Sequence, residues 1–380
     1  MTDIRKLIDL FEDPVTKKQV IDLVKNTDDE GLLQKVLKTL KAGNIEERIS
    51  SVVSRDPDGS RFVHEIARVI VSMDFPVEDK DAFLKKFPTG IVNVNKLLSG
   101  SPQTFLSLVD DSEFAKALFK ILTTVLVSQG VGPGEVALAV MSPKIQWSGR
   151  LAGGGDIMVG KRAIEVKTSA IKGGRWINPR KAKMDLAGVA SDIMVATGLT
   201  ELPDRINAQT WCYDILPKVD PKKVKVLTTS IAAKTFNYVD SKNYARALAS
   251  GDPAAIIDEQ LRTGYENYKA YSNFEGILLM DVKSESSQYF KDYDAMKGKI
   301  HIATMYIYAP EGEIMPQVRL LPDGGGGSKG SVAKSAAVPS APVAQPKAAR
   351  ASLGADRISR PGKTAAPSVP KSGGTRAERT

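Results

Sequence analysis

Residues 153–176 read GGGDIMVGKRAIEVKTSAIKGGRW, and the fold turns on how this stretch pairs with itself. DIMV and RAIEVKT are both strand-like, and Gly160-Lys161 between them fits a two-residue hairpin turn with glycine in its first position. The register then follows. Val159 opposes Arg162, Met158 opposes Ala163, Ile157 opposes Ile164, and Asp156 opposes Glu165. Period-two alternation turns Ile164 and Val166 to one face and Glu165 and Lys167 to the other. Asp156 joins the second face as the cross-strand partner of Glu165.

Directly opposed like charges destabilise a sheet. A chain that keeps two carboxylates there calls for a compensating cation. Oxygen ligands of this kind suit a hard divalent ion, and Mg²⁺ commonly takes one or two carboxylates and completes its shell with water and phosphate. Lys167, on the same face, is placed to hold or deprotonate an attacking water, or to stabilise a phosphorane-like transition state. That chemistry is phosphodiester hydrolysis. The plain structural alternative is a surface hairpin whose Glu165 and Lys167 are merely solvated.

Asp156 followed nine residues later by Glu165-Val166-Lys167 resembles the PD-(D/E)XK nuclease superfamily, which includes restriction and phage-type nucleases. The resemblance implies an α/β fold, a mixed sheet with a restriction-endonuclease-like core. Asp156 and Glu165 would bind Mg²⁺ or Mn²⁺, the Val166 carbonyl would help, and Lys167 would be catalytic. Many members carry a glutamate on a helix before the hairpin. Glu135, in GPGEVALAV, matches it by order and context, as a further metal or water ligand. One departure is that Gly155, not proline, precedes Asp156. The matched stretch covers about residues 130–180. A homodimer is one arrangement the resemblance implies, since many members cut both strands as dimers.

From Lys161 to Lys183 eight basic residues face one acid, which makes this segment the best candidate for DNA contact. They are Lys161, Arg162, Lys167, Lys172, Arg175, Arg180, Lys181 and Lys183, interleaved with Gly173, Gly174 and Trp176. Glycine lets backbone approach phosphate, and Lys or Arg neutralise it. Trp176 either stacks on an exposed base or fills the core.

Outside this centre, residues 1–100 read as a helical module. IRKLIDLFED, TKKQVIDLVKN, EGLLQKVLKTLKAG and FVHEIARVIVSM repeat apolar residues at helical spacing. The nuclease-like domain is expected over 101–323, with a helix from about Pro102 to Val127 and a second in EVALAVMS that Pro143 stops. A helical insertion follows at about 184–272, containing one strand at KVKVLTTSI. FEGILLMDV, KIHIATMYIYA and IMPQVRLL close the domain as strands.

The net charge of +9 belongs mostly to residues 324–380, where ten Lys or Arg face two acids. That stretch has no Phe, Trp or Tyr, and its Ala/Pro/Gly/Ser-rich composition predicts a disordered tail, which either contacts nucleic acid or another protein or serves as a simple tether. The body is close to neutral, so a nucleic-acid partner must be argued from local patches. One cysteine, Cys212, excludes an internal disulfide, and His64 and His301 are too few for a His-rich metal site or zinc finger. All three read as structural. No apolar run reaches the roughly 18 residues of a membrane helix, and MTDIRKLIDLFED places charges where a signal peptide needs its apolar stretch. These features point to the cytoplasm, that of a host if the chain is bacteriophage-encoded, or to a virion. A metal-dependent DNA nuclease, endonucleolytic by preference, is the leading expectation. The rival is a non-catalytic, structural or packaging-associated DNA-binding protein on a nuclease-like fold.

Overall fold

Strand pairing follows the register dictated by the side chains. The computed structural model describes residues 30–43, 59–124, 132–148, 154–169, 174–176, 183–310 and 316–321. Its strands are β1 (Gln103–Thr104), β2 (Ile145–Trp147), β3 (Ile157–Val159), β4 (Arg162–Ser169), β5 (Gly174–Arg175), β6 (Gly276–Asp281), β7 (Ser286–Phe290), β8 (Ile300–Thr304) and β9 (Gln317–Leu320). β3 and β4 form the hairpin with Ile157 opposite Ile164, Met158 opposite Ala163, and Val159 opposite Arg162. Gly160 takes φ +62°, the left-handed value that the first position of such a turn requires. The paired register runs as far as Ile157 opposite Ile164 and does not reach the expected Asp156–Glu165 pair; instead the Asp156 N–H donates to the Ile164 carbonyl at 2.9 Å and its carbonyl accepts the Ser148 N–H at 3.1 Å.

β4 then pairs in parallel with β6, Glu165 beside Ile277 and Lys167 beside Leu279. The result is a six-stranded mixed sheet in the order β1-β7-β6-β4-β3-β2, with a separate three-stranded sheet in the order β5-β9-β8. A parallel pair needs a long crossover, and residues between β4 and β6 supply it with α6 (Leu186–Thr197), α7 (Pro221–Thr235), α8 (Lys242–Ser250) and α9 (Pro253–Ser272). The longer of the earlier helices are α1 (Glu30–Ala42), α2 (Gly59–Ser72), α3 (Val77–Lys86), α4 (Glu113–Leu122) and α5 (Pro133–Met141), with single turns at Val94–Leu97 and Phe105–Leu108. The architecture is mixed α/β.

The sheet divides two apolar cores. Ile157, Ile164, Val166, Leu278 and Met280 point into the first, with Val36, Phe83, Phe105, Phe119 and Val136 from the N-terminal helices. Ile277, Leu279 and Phe290 point into the second, with Trp176, Trp211, Tyr244 and Tyr265. Helices α1–α3 therefore share their core with the sheet, and the first cluster runs on through residue 100 without a break. Contacts divide the chain into Met1–Gly330 and Ser331–Thr380, and every described residue belongs to the first unit. Among the described residues no helix is long and apolar enough to cross a membrane.

Two local expectations need correction. KVKVLTTSI is helix, not strand, because it lies in α7. There Asp220 accepts a hydrogen bond from the Lys222 N–H, and Pro221 occupies the first turn, so a strong start signal overrides the β-branched residues. The single helix expected from Pro102 to Val127 is interrupted. Gln103–Thr104 pairs with β7, and Asp110 and Asp111 take φ +52° and +61° before Ser112 caps α4. The strand Ser286–Phe290 carried no recognisable alternation and went unforeseen. The helices expected at IRKLIDLFED and TKKQVIDLVKN, and the basic tail, lie outside the described residues.

Candidate functional site

Asp156, Glu165 and Lys167 converge at the open end of the β3–β4 hairpin. Asp156 Oδ2 accepts the Val166 N–H at 2.9 Å, so its carboxylate adds a side-chain bond to those its backbone makes with Ile164 and Ser148. Lys167 Nζ donates to Glu165 Oε1, approaches Asp156 Oδ2 at 3.6 Å and reaches the Val166 carbonyl at 3.3 Å. Exposure separates the two carboxylates: the Asp156 side chain is 25% accessible and that of Glu165 is 5%. Asp156 is the solvent-facing member.

The chain before Asp156 is held by glycine. Gly154 and Gly155 take φ +78° and +68°, and a Cβ on Gly154 would lie 2.0 Å from the Asn273 carbonyl oxygen. The Gly155 N–H donates to the Ser272 carbonyl at 3.0 Å. A proline could not stand at position 155, because its ring fixes φ near −65°. Glycine at this residue therefore has a conformational cause.

Glu135 occupies a different position. It lies in the first turn of α5, the helix that covers the face bearing Val166 and Met280; a Cβ on Gly134 would meet Thr168 Oγ1 at 2.2 Å. Its Oε1 accepts the Gly132 N–H at 2.9 Å and its Oε2 accepts the Trp147 Nε1–H at 3.1 Å. Glu165 projects from the other face. The two glutamates thus flank the sheet, with Asp156 at the strand end between them. Among the described residues no three His, Cys, Asp or Glu side chains gather as a metal site.

Electrostatics mark the cluster as strained for charge. Burial, reinforced by the Asp156 carboxylate, pushes the Glu135 carboxyl up to about 8, against the opposing pull of Lys167 and the Trp147 hydrogen bond. Burial also raises Glu165, to about 7, with Lys167 opposing and Asp156 reinforcing. For Lys167, burial favours the neutral amine, but Glu165, Tyr268 and Asp156 outweigh it and keep the ammonium well above the ordinary lysine range. Excess negative charge around one ammonium is the condition a bound cation relieves. The donor chemistry of Asp156, Glu165 and the Val166 carbonyl therefore fits a hard divalent ion.

Two contacts were missed by sequence reasoning. Trp147 ties β2 to Glu135. Tyr268, from α9, donates its hydroxyl to Glu165 Oε1, and Lys167 Nζ lies 5.4 Å from its ring centroid. The only sequence signal was the helical spacing of Tyr265, Tyr268 and Tyr271, which reads equally well as core.

The proposed DNA contacts divide. Lys161, Arg162 and Lys183 are exposed. At about 3.3 Å per residue, Arg162 begins its strand roughly 10 Å from Glu165, toward the hairpin turn. Trp176 is not a stacking platform. It is 1% exposed and packs edge-on against Tyr265, with ring centroids 5.9 Å apart, so no base can reach it. The Arg175 backbone lies in β5 and pairs with Gln317. Lys172, Arg180 and Lys181, and the side chain of Arg175, lie outside the described residues. Cys212 is buried, and burial pushes its thiol up. His64 and His301 are half-buried, and burial with the Arg319 charge lowers the His301 imidazole.

Comparison with protein-family models, with curated proteins and with solved structures finds no match to this chain.

Proposed function

We propose that this chain is a divalent-cation-dependent nuclease that hydrolyses phosphodiester bonds of DNA, built on a restriction-endonuclease-like core. The observation that carries the reading is the convergence of Asp156, Glu165 and Lys167 on adjacent strands, in a cluster where carboxylates outnumber ammonium groups. Asp156, Glu165 and the Val166 carbonyl are the residues that would hold Mg²⁺ or Mn²⁺. When bound, such an ion lowers the pKa of water and neutralises phosphate charge. Lys167, kept cationic by its neighbours, stabilises the charge that builds on phosphorus-bound oxygen as water adds and the leaving oxygen departs. Lys161, Arg162 and Lys183 would hold the phosphodiester backbone through exposed charge.

Covalently closed plasmid tests this, incubated with the protein in Mg²⁺, in Mn²⁺ and in EDTA, beside Asp156→Asn. The amide that replaces the carboxylate keeps an oxygen for the Val166 N–H, so the fold is retained and can be checked by melting. Nicked or linear product that requires metal, and falls at least ~100-fold in the variant, is the expected result. Closed and linear DNA intact in every lane would overturn the proposal.

One observation favours a second reading, a non-catalytic DNA-binding protein of structural or packaging type. Each carboxylate of the cluster already has donors within the chain: Gly132 and Trp147 for Glu135, Lys167 and Tyr268 for Glu165, Val166 for Asp156. Salt-sensitive DNA binding without cleavage in either metal is what this reading expects.

A further inference from the structure

We propose that Tyr268 is a positioning residue of the site, fixing the Glu165 carboxylate in the orientation that receives the cation. This rests on the nuclease reading above. The Tyr268 hydroxyl and Lys167 Nζ both end on Oε1 of Glu165, which pins one carboxylate oxygen and sets the rotation of the other. The phenol itself is held. It is 4% exposed, its ring packs edge-on against Phe274 at 5.1 Å, and Phe274 packs in turn on Tyr265 at 5.9 Å.

The same helix end also governs Asp156. Four residues beyond Tyr268, the Ser272 carbonyl accepts the Gly155 N–H at 3.0 Å. Asn273 then turns the chain at φ +50° and leads it into β6, the parallel neighbour of β4. The last turn of α9 therefore touches Glu165 directly and the residue before Asp156 through its backbone. It sets the spacing of the two carboxylates from outside the hairpin. Groups that orient metal ligands in this way typically change metal affinity about 10–100-fold when removed.

The test uses the full chain and Mn²⁺ alone, its binding followed by electron paramagnetic resonance, with thermal melting in EDTA as the structural readout. Tyr268→Phe keeps the ring, and with it the Phe274 contact and the approach of Lys167, while removing the hydroxyl. Tyr265→Phe is the matched control, because the Tyr265 hydroxyl bonds the Lys291 carbonyl and not the site. The expected result is Mn²⁺ affinity lowered about 10-fold or more in Tyr268→Phe and unchanged in Tyr265→Phe, at similar melting temperatures. Parental Mn²⁺ affinity in Tyr268→Phe overturns the assignment while leaving the nuclease reading intact. Equal weakening in both variants also overturns it, as a general effect of the core. A parent that binds no Mn²⁺ overturns the nuclease reading and this inference together.

Discussion

The two faces of the six-stranded sheet each bury a glutamate, and they treat it differently. On the face closed by α5, Glu135 is satisfied by neutral donors, a backbone N–H and an indole N–H. On the face under α9, Glu165 is satisfied by an ammonium and a phenol. Both carboxyls are raised by burial, Glu135 to about 8 and Glu165 to about 7, and Lys167 opposes the rise in each. Neutral hydrogen bonds offset desolvation less than a full charge in contact does. Glu135 is built into the fold as a helix-start and strand tie, whereas Glu165 depends on a charge that can be removed.

Removing that charge is the most severe way to break the contrast. In Lys167→Met the carboxylate of Glu165 loses its cation inside the protein, and breaking a buried pair from one side costs about 3–5 kcal/mol. Glu165 can escape the penalty by taking a proton, so the cost measured by urea denaturation should be largest near pH 8 and shrink near pH 5.5. Equal destabilisation at both pH values would mean that Lys167 acts through packing alone.

The next effect is smaller and involves both glutamates. Folded-state carboxyls at about 7 and 8 lie above the unfolded value near 4.3, so between these limits the native state holds protons that the unfolded chain has released. Stability is then greatest at low pH within the window and falls as pH rises through 7 and 8. In EDTA, the melting temperature should drop on the order of 5 °C between pH 5 and pH 8.5. Glu165→Gln and Glu135→Gln should each make the fall shallower, because each removes a proton that the native state holds and the unfolded chain releases. A parent curve that is flat, or that rises with pH, contradicts the assignment of buried protons to these residues.

The hairpin was legible because strand pairing is local. Two strands and a two-residue turn leave one register that keeps Ile157, Ile164 and Val166 together, and period-two alternation then assigns Glu165 and Lys167 to the other face. The face of Glu135 was not legible, since it depends on which side of the sheet α5 lies, a choice made by the long-range burial of Val136 and Leu138 in the core that also holds Val166 and Leu278. Tyr268 was hidden for a similar reason. It lies 103 residues from Glu165, and its approach is set by the parallel pairing of β4 with β6, which no local pattern encodes. The boundary placed near residue 100 separates a helical module from the nuclease-like stretch, but the apolar cluster that holds α1–α3 crosses it. In α7 the reading failed because alternating Lys and Val outweighed an Asp-Pro start signal that was equally visible.

The smallest predicted effect tests Glu135 from its donor's side. Trp147→Phe removes the Nε1–H that Oε2 accepts and leaves an aromatic ring on β2. At pH 6 the Glu135 carboxyl is neutral, and losing one neutral hydrogen bond costs about 1 kcal/mol. At pH 9 the carboxylate is charged, and the same bond is worth about 1.5–3 kcal/mol because its acceptor is ionised. The smaller ring adds a packing loss common to both conditions, which cancels in the difference. The variant should therefore lose more stability relative to the parent at pH 9 than at pH 6, by roughly 1 kcal/mol. Equal losses at the two pH values would mean that Glu135 is ionised throughout, leaving Glu165 as the one buried glutamate of the pair whose proton follows pH.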